Sequence, residues 1–115
     1  MAYHVLIFAA STSVEPTVDL YLGSAQTVNL YWESAGREIG LPTISTITER
    51  ADYEPGFCLS GKPLRDFRDE LALLLKYWEQ SHWGYTLSSH HLEVMTTIIA
   101  SLDDEFFVNA TLIIG

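Results

Sequence analysis

The stretch from Pro63 to Gln80, P-L-R-D-F-R-D-E-L-A-L-L-L-K-Y-W-E-Q, limits what this chain can fold into more than any other. Leu64, Phe67, Leu71, Leu74, Leu75 and Trp78 recur at steps of three and four, which lines them along one side of an α-helix. Arg65, Asp66, Arg68, Asp69, Glu70 and Lys76 fall mostly on the other side. Pro63 suits a first helical position, where its missing N–H would have been unpaired anyway. Asp66, Asp69 and Glu70 then lie towards the positive end of the helix dipole and Lys76 towards the negative end. A long amphipathic helix needs an apolar surface to cover.

The two ends of the chain supply that surface. Tyr3–Ala10 is short, apolar on both faces and rich in aromatic and β-branched residues, which predicts a buried strand. After a polar turn over Ser11–Pro16, Val18, Leu20 and Leu22 alternate with Asp19 and Tyr21, predicting a second strand and a hairpin with the first. Gly23 and Ser24 break that strand, and the Ser24 hydroxyl is a natural N-cap. The competing reading pairs Thr27–Trp32 as a strand back on Asp19–Leu22. A helix over 25–39 is preferred, because Val28, Tyr31 or Trp32, Ala35 and Ile39 form a stripe and Gly40-Leu41-Pro42 is a stop.

Thr43–Thr48 reads as a short strand or an extended connector. Glu49–Lys62, with Pro55, Gly56 and Gly61, reads as mostly loop, Phe57–Leu59 dipping inward. Beyond the central helix, Ser88 or Ser89 can cap a last helix whose buried stripe is Leu92, Met95, Ile98, Ile99 and Leu102. Phe106–Ile114 predicts a terminal strand. With 115 residues, 48% of them hydrophobic, and no internal repeat, the chain is expected to form one domain over 1–115. The fold class expected is α+β: a two-layer sandwich, with a small, mostly antiparallel sheet including both terminal strands and about three helices.

Charge narrows the function. Six Lys and Arg against fifteen Asp and Glu give a net charge of −9 and a pI near 4.6. That sign opposes direct binding to nucleic acid or an anionic membrane, and it suits a basic protein partner. Plain solubility would account for the same excess. No apolar run approaches a membrane span and no signal-peptide pattern follows Met1, so a cytoplasmic location is expected.

Candidate chemistry is sparse. His90 and Glu93, with His91 and His82, can be sketched as a metal site, but the H-E-x-x-H spacing is lacking and a solvated pair at a helix start explains the same letters. Neither a metal nor a cofactor is expected. Cys58, the only cysteine, could be a nucleophile beside His82 or His4; between Phe57 and Leu59 it reads rather as a small core residue. Gly23-Ser24 has the geometry of an anion site, yet a simple N-cap suffices. No catalytic residue is assigned.

Two acidic clusters remain. Asp103, Asp104 and Glu105 close a helix where the dipole disfavours anions. Glu49, Asp52, Tyr53 and Glu54 place an aromatic among carboxylates, a form of protein-binding surface in which Tyr anchors and the acids steer. Trp83 and Tyr85 extend that surface or roof the core.

In size, acidic balance, and the helix L-R-D-F-R-D-E-L-A-L-L-L-K-Y-W followed by a last helix and a C-terminal strand, the chain resembles bacterial immunity proteins. These neutralise nuclease or other toxin domains of competing cells. The resemblance implies a non-enzymatic inhibitor that occludes a basic toxin or nuclease; it includes no family motif and transfers no functional residue. Rival readings are a phage-type nucleic-acid mimic, a small enzyme or ligand-binding domain with a pocket between sheet and helices, and a structural subunit forming a homodimer through its C-terminal strand.

Overall fold

The computed structural model describes residues 2–9, 14–53, 56–80, 89–103 and 109–115, the side chain of Asp103 apart. Strand β1 (Ala2–Phe8) pairs antiparallel with β2 (Val18–Ser24), as the hairpin pattern predicts. The last strand, β4 (Thr111–Ile114), lies on the other side of β1, and β3 (Phe57–Ser60) completes the order β2-β1-β4-β3. Every pairing is antiparallel. Both terminal strands are therefore central, and the fold is α+β.

Alternation sorts the two faces of this sheet. Tyr3, Val5, Ile7, Phe57, Leu59, Leu112 and Ile114 point into the core. Leu6, Phe8 and Ile113 on the other face are only partly covered, and His4 and Cys58 are exposed. Cys58 is thus not the small core residue expected from its apolar neighbours: in a strand, neighbours that point inward turn the residue between them outward. Gly23 and Ser24 do not interrupt β2 either, since Ala2 pairs with Ser24 and Tyr3 with Gly23 across a register shift.

The 25–39 segment is helical, which settles the helix-or-strand alternative. It consists of α1 (Ala25–Val28), a π-helical turn (Asn29–Glu33) and α2 (Ser34–Ile39). The Ser24 hydroxyl accepts the Thr27 N–H at 3.3 Å, the expected N-cap. At the far end Gly40 is left-handed (φ 77°) and Leu41 N–H returns to the Gly36 carbonyl at 2.7 Å, a Schellman stop.

The connector expected over Thr43–Thr48 is instead a 3₁₀ turn (Ile44–Thr46) running into α3 (Ile47–Ala51), which also takes the start of the segment read as loop. Ile44 and Ile47, three apart, are both fully buried: this is helical spacing. The rest of that loop reading fails at β3. Its predicted inward dip is correct for Phe57 and Leu59, but it is a paired strand.

Helix α4 (Gly61–Gln80) covers the sheet with Leu64, Phe67, Leu71, Leu74 and Trp78 buried and Leu75 half-buried, the predicted stripe. Gly61 has φ 58°, so right-handed winding begins after it and Pro63 stands in the first turn. Helix α5 (Ser89–Asp103) buries His91, Val94, Met95 and Ile98, while Leu92, Ile99 and Leu102 flank them; its inward face is turned from the one predicted. Among the described residues, no helix is long and apolar enough to cross a membrane.

Candidate functional site

Sequence reasoning points first to the acids and aromatics around α3. Glu49 lies in α3 and is exposed, Asp52 follows its last residue, and Tyr53 stands out into solvent at 72% exposure. The turn that presents Tyr53 is closed by Gly56 N–H to the Tyr53 carbonyl at 2.7 Å. Glu54, Trp83, Tyr85, Asp104 and Glu105 lie outside the described residues, as does His82; Asp103 is the last residue of α5. The fold thus holds Glu49, Asp52 and Tyr53 in one short segment.

Asp52 has a second task. Its Oδ1 accepts the Tyr3 hydroxyl at 2.6 Å, tying the end of α3 to the first strand. Burial, then the hydrogen bond and charge of Asp52, push the Tyr3 phenol up to about 12.

Other acids turn inward as well. Glu70, assigned by periodicity to the charged side of α4, is 8% exposed. Its Oε1 accepts the N–H groups of Thr43 and Ile44 at 2.9 and 3.0 Å, satisfying the start of the 3₁₀ turn. Glu33, 2% exposed, accepts the Thr48 hydroxyl at 2.6 Å and the Thr48 N–H at 3.3 Å. On the surface, Tyr77 donates to Glu38 at 2.5 Å, linking α4 to α2. Part of the acidic excess is therefore internal wiring around residues 43–52.

The second assembly went unrecognised in the sequence. His90 and His91 open α5; Glu93 of the expected solvated His90–Glu93 pair is exposed and His90 half-buried, while the adjacent His91 is only 4% exposed. Trp32 Nε1–H donates to His91 Nδ1 at 3.1 Å. Tyr31 tilts against the same imidazole with ring centroids 4.9 Å apart, and Trp32 meets Trp78 edge-to-face at 5.0 Å. Trp78 donates its own indole N–H to the Tyr31 carbonyl at 3.1 Å. Outward, the rings continue from His91 to His90 at 5.4 Å, Tyr21 at 5.7 Å and His4 at 5.5 Å, where His4 Nδ1 is 3.6 Å from Asp19 Oδ1.

A usable signal for His91 did exist. It is one helical turn before Met95 and two before Ile98, on the most buried line of α5. Burial first, and the neighbouring His90 second, hold its pKa below the usual 6.5. His90 Nε2 is buried and has no hydrogen-bond partner among the described residues. Among those residues no group of three or more His, Cys, Asp or Glu could hold a metal ion.

The chain matches no known family model, no curated protein and no solved structure.

Proposed function

We propose that this chain is an acidic protein-binding module of the immunity type, which caps the active surface of a basic toxin or nuclease domain. The observation that carries this reading is Tyr53: a large aromatic at 72% exposure, held on a hydrogen-bonded turn beside Glu49 and Asp52 in a chain of net charge −9. Large aromatic rings left in water are what binding hot spots are made of. Carboxylates around such a ring steer a cationic partner and raise its association rate. The sequence assigns Glu54, Trp83, Tyr85, Asp103, Asp104 and Glu105 to the same role. The mechanism is occlusion: carboxylates take the place of the phosphates that a nuclease would engage, and the Tyr53 ring slows dissociation.

The test begins at the gene: a toxin-like reading frame beside it is expected, and its product, with its own active site inactivated by mutation, is the probe. Binding should be measured at low and at physiological salt, with Tyr53→Ala and Glu49→Gln as variants. Association should slow as salt rises, and Tyr53→Ala should speed dissociation by about 30-fold, the equivalent of a ~2 kcal/mol hot spot. Asp52 is left intact, because removing it also removes the bond to Tyr3. Absence of a complex, or a complex indifferent to both salt and Tyr53→Ala, overturns the proposal.

A further inference from the structure

We propose that His91 is a proton-operated latch, fastening helix α5 to the π-helical turn through Trp32 and releasing it when the imidazole takes up a proton. An indole N–H can only donate, so His91 Nδ1 must be bare and the ring's proton must sit on Nε2. A proton arriving from solvent would add to the Nδ1 lone pair that now accepts from Trp32. Two N–H groups would then face each other across the 3.1 Å gap, and the bond would become a repulsion. The Trp32 indole, itself 1% exposed, would be left with a buried donor and no acceptor.

The imidazole joins three elements. Its backbone is in α5, its acceptor nitrogen meets Trp32 in the π-helical turn, and its Cε1 would lie 3.5 Å from a Cβ built on Gly23 of β2. The ring therefore rests within ordinary van der Waals reach of that strand.

The surroundings offer little to stabilise an imidazolium. The last turn of α4, the helix packed along α5, carries Lys76 and Glu79, both exposed, and Tyr77, whose hydroxyl is bonded to Glu38. From the π-helical turn come the Tyr31 ring and Glu33, whose two oxygens are engaged by Thr48. From β2 come Tyr21 and Asp19, the latter facing His4 of β1. Helix α5 itself brings His90 at 5.4 Å and Glu93, which is exposed. Among the described residues no carboxylate forms an ion pair with His90 or His91; the one imidazole so paired is His4. This agrees with the lowered pKa of His91.

The sign follows. The fold favours neutral His91, so its contribution to stability is complete above 6.5 and is lost as pH falls through the lower folded value.

The experiment is an NMR titration of the whole chain with ¹⁵N-labelled tryptophan and histidine side chains. At pH 7.5 the His91 signals should show the Nε2–H tautomer, and the Trp32 indole proton should be shifted by its bond and protected from exchange. Between pH 7.5 and pH 5 the Trp32 protection factor, the intrinsic exchange rate at each pH divided by the observed rate, should fall by about tenfold or more; tenfold is what each pH unit below the His91 transition supplies. His91→Gln offers an acceptor that does not titrate, and should keep Trp32 protected at both pH values. His90→Gln removes the neighbouring imidazole and should move the transition to higher pH. A His91 ring that carries its proton on Nδ1 at pH 7.5 overturns the latch in the unmodified protein, whatever the variants do. So does a Trp32 indole equally protected at pH 7.5 and 5, or an unchanged transition in His91→Gln.

Discussion

A carboxylate buried against two backbone N–H groups is hard to replace, and Glu70 is in that position. Glu70→Ala leaves the Thr43 and Ile44 donors without their acceptor at the start of the 3₁₀ turn. A loss of about 2–3 kcal/mol is expected, within the range for hydrogen bonds to a charged group and the desolvated donors left behind. Urea unfolding will measure it, with the exposed Glu79→Ala as the comparison expected to stay within ~0.5 kcal/mol. Equal midpoints for the two variants would show that Glu70 does not anchor this segment. Residue-level roles such as this one were poorly legible in the sequence, for a physical reason. Helical periodicity assigns a residue to a face, but the acceptor that Glu70 provides is used 26 and 27 positions away. His91 was concealed in the same way: two adjacent histidines at a helix start look solvated until Trp32, 59 positions away, is packed on one of them. The exposure of Tyr53 and Glu49 is easier to read, because a side chain in water needs no distant partner.

Glycines make a sharper test at the level of elements. Gly23 and Gly40 both have positive φ, 149° and 77°. A Cβ on Gly40 would meet nothing within 4 Å, so Gly40→Ala carries the backbone penalty alone, about 1–2 kcal/mol. A Cβ on Gly23 would lie 2.6 Å from Thr27 Oγ1, against the first turn of α1. Gly23→Ala adds overpacking to backbone strain and should cost roughly 2–4 kcal/mol in the same unfolding assay. If Gly40→Ala proves the more damaging, the packing of β2 against α1 is looser than described. The elements that declared themselves in the sequence are those whose own pattern is long: α4 with its repeated leucines, and β1 and β2 with their alternation. Strand β3 has four residues, too few for a period to show, and its partner β4 lies more than fifty positions further on. The 44–51 helices carry a helical Ile44–Ile47 spacing, but it is a single step, and Ser and Thr around it suit connectors as well.

Across the whole molecule charge is unevenly placed. All six Lys and Arg lie between Arg37 and Lys76, while the remainder of the chain carries eight of the fifteen acids and no Lys or Arg. Self-repulsion should therefore weaken the folded state at low ionic strength. Raising NaCl from about 10 to 150 mM shortens the screening length from roughly 30 to 8 Å. The melting temperature is expected to rise by about 4 °C, corresponding to ~1 kcal/mol at this size. A fall would mean that attractive pairs such as Lys62–Asp66, at 3.0 Å, outweigh the repulsion. Strand β4 lies between β1 and β3, with Gly115 and His4 exchanging backbone hydrogen bonds at 2.8 and 3.1 Å. A nascent chain leaving the ribosome would therefore display the β1–β2 hairpin and helices α1 to α4 well before the strand that unites them. Until Thr111–Ile114 emerges, one side of β1 and all of β3 stay open to a neighbouring polypeptide, so translation speed and chaperone cover should govern the yield of this protein.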